Sequence, residues 1–434
     1  MFDLEYCYRE TNITPQESVL LAGYANRSGT SNEIHRPLSS RCLVLKRGKI
    51  QVCIIVNDLM EVPPEIVHDI REKINQNTDI NYDAIIVVTI HTHSAPLMEY
   101  GIHQKNDNYI NMAVARIIDN ATEALLNRNL IKARILKIGS NYCEIGANRR
   151  LIIPEEGPAY RISDPEGIRD TEVTILQISD EHANNMVTLF NYACHPVTLG
   201  FNNLAVSTDY PGKAREVIEK TYGGKAIFLN GAAANINPVE AEQTNTTITD
   251  KVGTELGNTV INAELKPIES DLDLKHFSGK VKIPYRDQNI TREFIIQEIQ
   301  RKSLQSTEFY HWQDDLRSWA DKILNLLEQD KVQKDFQFQI SAIRLGPALL
   351  YFTQGELFVE YQLELKKRFS GYRFFCIGYA HGEGAYIPTA KDYKQQGYET
   401  DQAYIYQGLP SPFTQEIEKI YLKDSISIID HVLD

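Results

Sequence analysis

The feature that most constrains this chain is an apolar run, Ala84-Ile-Ile-Val-Val-Thr-Ile90, that stops on His91-Thr92-His93-Ser94. A short run this rich in β-branched residues reads as a buried strand. Side chains alternate faces along a strand, so His91 and His93 project the same way. Two imidazoles on one side of a strand end can share a metal or a substrate, and imidazole is the commonest metal ligand near neutral pH. A second run, Met186-Val-Thr-Leu-Phe-Asn-Tyr-Ala-Cys194, also stops on a histidine, His195, followed by Pro196. Two such strand ends predict one pocket at one edge of a sheet. Taken alone, either motif reads equally well as a satisfied core or surface histidine.

Comparable strand-like runs lie at 41–45, 50–56, 84–91, 172–178, 186–192, 225–229, 338–345, 348–352 and 372–378. Helical periodicity alternates with them at 64–75, 108–127, 210–221, 247–262, 292–302 and 308–329. That alternation predicts an α/β fold, with a mixed, mostly buried β-sheet or sheets flanked by helices. The stretches 240–247 and 266–271 are the best candidate joints. Chemically suggestive residues stand on both sides of the second, which favours a single large catalytic domain over 1–434. The stretch 308–329 carries one apolar stripe, Phe309, Trp312, Leu316, Trp319, Ile323 and Leu326. Its opposite face is as acidic as basic, so packing on the core is expected rather than contact with an anionic membrane.

With 42% hydrophobic and 24% charged residues over 434 positions, the composition is that of a soluble globular protein. A net charge of −13 lacks the basic footprint that phosphate-backbone binding needs, so no nucleic-acid partner is expected. The start, Met1-Phe-Asp-Leu-Glu-Tyr, has none of the features of a signal peptide, and no run is long enough for a transmembrane segment. The six cysteines are widely spaced without a CxxC pair, and several sit in apolar runs as buried free thiols would. These features predict a cytoplasmic location.

Between and after the histidines lie Gly146-Ala-Asn148-Arg149-Arg150, Ser207-Thr-Asp209-Tyr-Pro-Gly212 and Asn230-Gly-Ala-Ala-Ala-Asn235-Ile-Asn237-Pro238. Their Gly, Asn and Pro content suits backbone that turns tightly near a ligand, and equally suits close packing of strand on helix. With Gly23-Tyr24-Ala25, Arg41, His91-Thr-His93-Ser-Ala-Pro96, Asn191-Tyr-Ala-Cys-His195-Pro196, Gly355-Glu356, Tyr386-Ile-Pro-Thr-Ala-Lys-Asp-Tyr393 and Tyr398-Glu399, these motifs run in order along nearly the whole chain. In that order the chain resembles the neutral/alkaline non-lysosomal ceramidases, as a short bacterial-type member confined to their catalytic portion. The larger ceramidases add a C-terminal sandwich domain, which this chain is expected to lack.

The resemblance implies a zinc-dependent amidase acting on a small-molecule N-acyl amide, lipid-like or not, through zinc-activated water. By motif, His91, His195, Glu356 and Tyr386 correspond to the metal ligands. His93 is similar to the histidine that stabilises or protonates the reacting amide. Arg149 resembles the arginine at the substrate's polar end, and Tyr398 the tyrosine facing the scissile bond. A carboxylate and two imidazoles on rigid mounts leave zinc electrophilic enough to acidify water. One position departs from the family, because Asn237 stands where ceramidases carry a serine. An amide side chain is no nucleophile, although it can donate a hydrogen bond to an oxyanion. Two further readings follow from the same residues. One is an esterase or deacylase on a small metabolite. The other is a catalytically silent zinc-binding relative, against which the retained polar cluster counts.

Overall fold

The structure, a computed structural model, describes residues 3–153, 157–159, 163–184, 186–269, 272–303, 312–382 and 384–434. Among the described residues three large sheets with flanking helices, accompanied by short two-stranded ribbons, form the expected mixed α/β architecture. The first sheet has the order Ile85–Thr89, Ile50–Asn57, Ser39–Arg47, Glu5–Asn12, Ile131–Lys132. The second runs Lys225–Asn230, Val187–Tyr192, Glu172–Ser179, Ile135–Tyr142, Leu265–Pro267, and the third Leu274–Pro284, Asp335–Leu345, Ala348–Thr353, Arg373–Ile377.

Most pairings are antiparallel, but each sheet also contains a parallel pair. A parallel pair cannot be closed by a hairpin, and a crossover helix joins each one. Pro64–Asn77 joins Ile50–Asn57 to Ile85–Thr89, and Asp209–Tyr222 joins Val187–Tyr192 to Lys225–Asn230. Val359–Arg368 joins Ala348–Thr353 to Arg373–Ile377. The first of these helices opens on Pro64, where the missing N–H would have had no helical partner anyway.

The carboxyl ends of the three parallel pairs meet. Asn230 Nδ2 donates to the Ile90 carbonyl at 3.1 Å, and Asn191 Nδ2 to those of Leu229 and Cys376 at 2.8 and 2.7 Å. Backbone N–H groups close the junction, from Thr89 to the Tyr379 carbonyl and from Gly378 to that of Asn230, each at 3.0 Å. Buried asparagine amides thus replace the hydrogen bonds that three sheet ends would otherwise lack. The carboxyl ends of parallel strands are where open α/β sheets bind ligands.

In the third sheet Ala348–Thr353 and nearly all of Arg373–Ile377 are buried on both faces, which explains their near-continuous apolar runs. Ile343, Leu345, Leu350, Phe352 and Phe375 enter the core shared by the first two sheets. Their alternates Ala342, Leu349, Tyr351, Phe374 and Cys376 enter a second core under the later helices. Each such aliphatic or aromatic side chain contributes roughly 1.5–3 kcal/mol on burial. Helix Trp312–Glu328 lays Trp312, Leu316, Trp319 and Ile323 into that second core, as its stripe predicts, and the Trp319 indole N–H donates to the Leu409 carbonyl at 2.7 Å. Phe309 lies outside the described residues. All six cysteines are buried free thiols. Among the described residues no helix is long and apolar enough to cross a membrane.

Candidate metal centre

His91 follows Ile85–Thr89, His195 follows Val187–Tyr192, and Glu356 follows Ala348–Thr353. Each stands just beyond the first or last strand of a different parallel pair, at the junction of the sheets. His91 Nε2 lies 3.5 Å and His195 Nε2 3.2 Å from Glu356 Oε2. His93 Nε2 is 3.3 Å from His91 Nε2, and the ligand atoms of His91, His93 and His195 all fall within 4.8 Å of one another.

The backbone fixes the tautomers. A ring nitrogen facing a carbonyl must carry the proton, so His91 Nδ1 donates to the Met60 carbonyl at 3.0 Å and His195 Nδ1 to that of Ala233 at 2.5 Å. Burial pushes both imidazoles down to about 3, so both are neutral at pH 7. Their Nε2 atoms therefore present lone pairs toward the Glu356 carboxylate. His195 Nε2 and Glu356 Oε2 are buried without a hydrogen-bond partner. Lone pairs converging from three groups repel unless a proton or cation stands among them. Two nitrogens and a carboxylate oxygen, each held from behind, form a donor set that fits a divalent ion such as zinc.

Local strain accompanies the arrangement. His91 has φ +68°, a left-handed conformation that costs a non-glycine residue about 1–3 kcal/mol and clusters at functional sites. Gly355, at φ +87°, lets Glu356 approach Tyr386, since a Cβ there would lie 2.6 Å from the Ala385 carbonyl. The two short strands Glu356–Leu357 and Tyr386–Ile387 pair in parallel and set Glu356 opposite Tyr386. Burial first, and Glu356 second, push the Tyr386 phenol well above its ordinary range. A cation at the cluster would act in the opposite direction.

Arg149 NH2 reaches Tyr386 Oη at 3.3 Å and is anchored by Glu399, whose carboxylate also grips Arg150. Tyr398 packs edge-on against Tyr386, ring centroids 5.7 Å apart. Asn237 is next to Ile236, whose carbonyl accepts the His195 N–H at 2.9 Å. All eight residues singled out by sequence thus occupy one neighbourhood. His93 is as close to the focus as the other imidazoles, yet more exposed than either.

Other motifs support the site from behind. Asp209 accepts from Thr198 Oγ1 at 2.5 Å and from the Leu199 N–H at 3.1 Å, and Tyr210 Oη donates to the Cys194 carbonyl at 2.6 Å. The Asp209–Gly212 motif therefore braces the loop after His195 and touches no ligand atom. Arg41 belongs to a separate cleft of about 710 Å³, where it pairs with Glu10 and Glu219. That wider space has charges that satisfy one another. Beside the cluster lies a chamber of about 20 Å³, lined by Thr89, His91, Gly355, Glu356 and Tyr379, enough for one water.

Sequence reasoning missed Tyr379, Met60 and Ala233. Tyr379 stacks on His91 with φ +57°, and nothing in Gly378-Tyr379-Ala380 announces that. The other two act through backbone carbonyls, which no side-chain motif can reveal. Glu399 sat in a quoted motif, and its adjacency to Tyr398 was the available signal.

The family model for the neutral/alkaline non-lysosomal ceramidase N-terminal region matches residues 11–253, more than half of the chain. The chain belongs to that family. The match includes His91, His93, Arg149, His195 and Asn237, whereas Glu356, Tyr386 and Tyr398 lie beyond it. A neutral ceramidase of Oryza sativa subsp. japonica is 21% identical over 248 residues, covering 55% of this chain and 32% of that protein. The matched part is thus about a third of that relative's length. The crystal structure of neutral ceramidase from Pseudomonas aeruginosa superposes with a TM-score of 0.70 at 16% identity, over 99% of this chain and 74% of that one. A structure described as ceramidase complexed with C2 gives 0.69 at 16% identity, over 99% and 75%. At that identity the two structures establish the shared fold.

Proposed function

We propose that this protein hydrolyses the amide bond of an N-acyl compound, ceramidase-fashion, with a zinc ion held by His91, His195, Glu356 and Tyr386. The observation that carries the reading is the convergence of two tautomer-locked Nε2 lone pairs on an otherwise unpartnered, buried carboxylate oxygen. When bound, zinc supplies Lewis acidity toward a carbonyl and acidifies water.

The protein's own residues do the rest. His93, the most exposed of the three imidazoles, faces the reacting amide. It holds a proton for the leaving amine and a hydrogen bond for the developing oxyanion. Tyr398, packed on Tyr386, adds its hydroxyl on the same side. Arg149, anchored by Glu399, keeps its charge and binds a polar or anionic group on the substrate. The family's name points to a lipid amide as the substrate class.

The test combines metal analysis with turnover. Purified protein should hold zinc in equimolar amount, lose it in His91→Ala, and release free amine from N-acyl amides only when loaded. Chelator-insensitive cleavage, or cleavage of esters alone, would overturn the reading.

A further inference from the structure

The strands Gly146–Asn148 and Ile236–Pro238 form an antiparallel ribbon in which Ala147 opposes Asn237 and Asn148 opposes Ile236. The ladder continues one step, since the Arg149 N–H donates to the Asn235 carbonyl at 2.8 Å. Opposed residues of such a ladder share a face, as do residues two apart on one strand. Ala147, Arg149 and Asn237 therefore stand on one face, with Asn148 and Ile236 on the other. The second face belongs to the core. A Cβ on Gly146 would meet Ile236 and the Tyr192 hydroxyl, both at 3.1 Å, and Asn148 turns away to the Ile168 carbonyl at 2.9 Å. The first face looks into the candidate centre, because Arg149 reaches Tyr386 and Glu399 from it.

On that face Asn237 is only 4% exposed, and its Oδ1 is buried with no hydrogen-bond partner. The neighbouring asparagines are fully engaged. Asn235 donates to Glu360 and accepts from the Val359 N–H, both at 2.9 Å, and Asn148 accepts from the Arg150 N–H at 3.0 Å. A buried acceptor left unmade is costly, so a stranded one beside a ligand site calls for a donor from the ligand.

We propose that Asn237 is a specificity-determining residue whose side-chain carbonyl accepts a hydrogen bond from the N–H of a bound secondary amide. The substrate end next to that N–H is the one gripped by Arg149. This rests on the hydrolase reading and narrows its substrate class. An ester of the same shape places an oxygen opposite Oδ1, and two acceptors then face each other out of water. Turned end for end, the Asn237 amide would offer an N–H instead, and that donor would treat amide and ester carbonyls alike.

The matched probes are N-octanoylethanolamine and 2-hydroxyethyl octanoate, which differ only in N–H against oxygen at the scissile position. In Asn237→Leu the amide-to-ester ratio of kcat/KM should fall by roughly tenfold to a hundredfold, and Asn237→Asp, which keeps an acceptor, should restore most of it. Should Asn237→Leu fail to fold, Asn237→Ala carries the same comparison. An unchanged ratio, whether both rates fall together or neither falls, overturns the proposal. If the wild-type protein cleaves neither compound, the hydrolase reading fails separately. Calorimetric dissociation constants of the same pair on the chelator-treated full chain then decide the role of Asn237. A preference for the amide that disappears in Asn237→Leu upholds it. No preference, or no binding of either, overturns it.

Discussion

The ring of Tyr379 lies against that of His91, centroids 4.0 Å apart and planes 24° from parallel. The contact presses on the imidazole from the side while the Met60 carbonyl holds Nδ1 from behind. Aromatic pairs of this kind are worth about 0.5–1.5 kcal/mol beyond the area they bury. Tyr379→Leu should therefore leave the fold intact and weaken zinc binding by roughly threefold to tenfold, measured against a competing chelator. Unchanged affinity would make the stack mere packing.

Glu356 separates metal binding from folding in opposite directions. Without an ion its carboxylate faces two lone-pair nitrogens, and burial pushes its pKa up against the counter-pull of His91 and Arg149. Glu356→Gln should stabilise the metal-free protein by roughly 1–3 kcal/mol, while abolishing most of the stabilisation that added zinc brings. Thermal melts with and without zinc read both. A fall in metal-free Tm would refute the electrostatic account.

Gly23 tests whether His93 acts apart from the other imidazoles. It has φ +97°, and a Cβ on it would lie 2.4 Å from His93 Cγ and Nδ1. Gly23→Ala must displace the His93 ring. Turnover should drop by one to two orders of magnitude (about 1.4 kcal/mol for each tenfold step), with zinc content unchanged. Concerted loss of zinc would instead place His93 among the ligands.

Two histidines away from the centre set an acid limit on stability. Burial pushes His276 down to about 4, and burial first and Arg71 second push His381 well below its usual value. Both His381 ring nitrogens are buried without a partner. The unfolded chain takes up these protons near pH 6.5 and the folded one does not. Their contribution is thus fully present above pH 6.5 and is lost as the pH falls toward about 4. Urea unfolding at pH 7 and pH 5 should show the loss, and His381→Gln should reduce it. An identical slope in the variant would sink the assignment.

Much of this was legible because function here sits on strongly patterned elements. The runs ending at His91 and His195 declare themselves as strands by their β-branched content, and crossover helices such as Pro64–Asn77 by period. Strands with mixed faces were not legible. Glu5–Asn12 reads as polar, Gly139 interrupts Ile135–Tyr142, and lysines punctuate Leu274–Pro284. Each keeps exposed or half-exposed positions, so its apolar signal is diluted. Helix Ile417–Leu433 is rich in isoleucine and serine, poor local helix formers, and is held by packing of Tyr421, Ile428, Ile429 and Val432. At the site, motif order located the side chains, whereas the Met60 and Ala233 carbonyls and the Tyr379 stack exist only once three sheets meet.

That meeting has a mechanical consequence. The strands leading to His91, His195 and Glu356 belong to three separate layers, so an ion seated among them would be a rivet through the seam as well as a reagent. Depletion should be felt as slippage between layers, with faster amide exchange at Thr89, Gly378 and His381, whose N–H groups cross from one layer to the next, while each layer's interior stays protected.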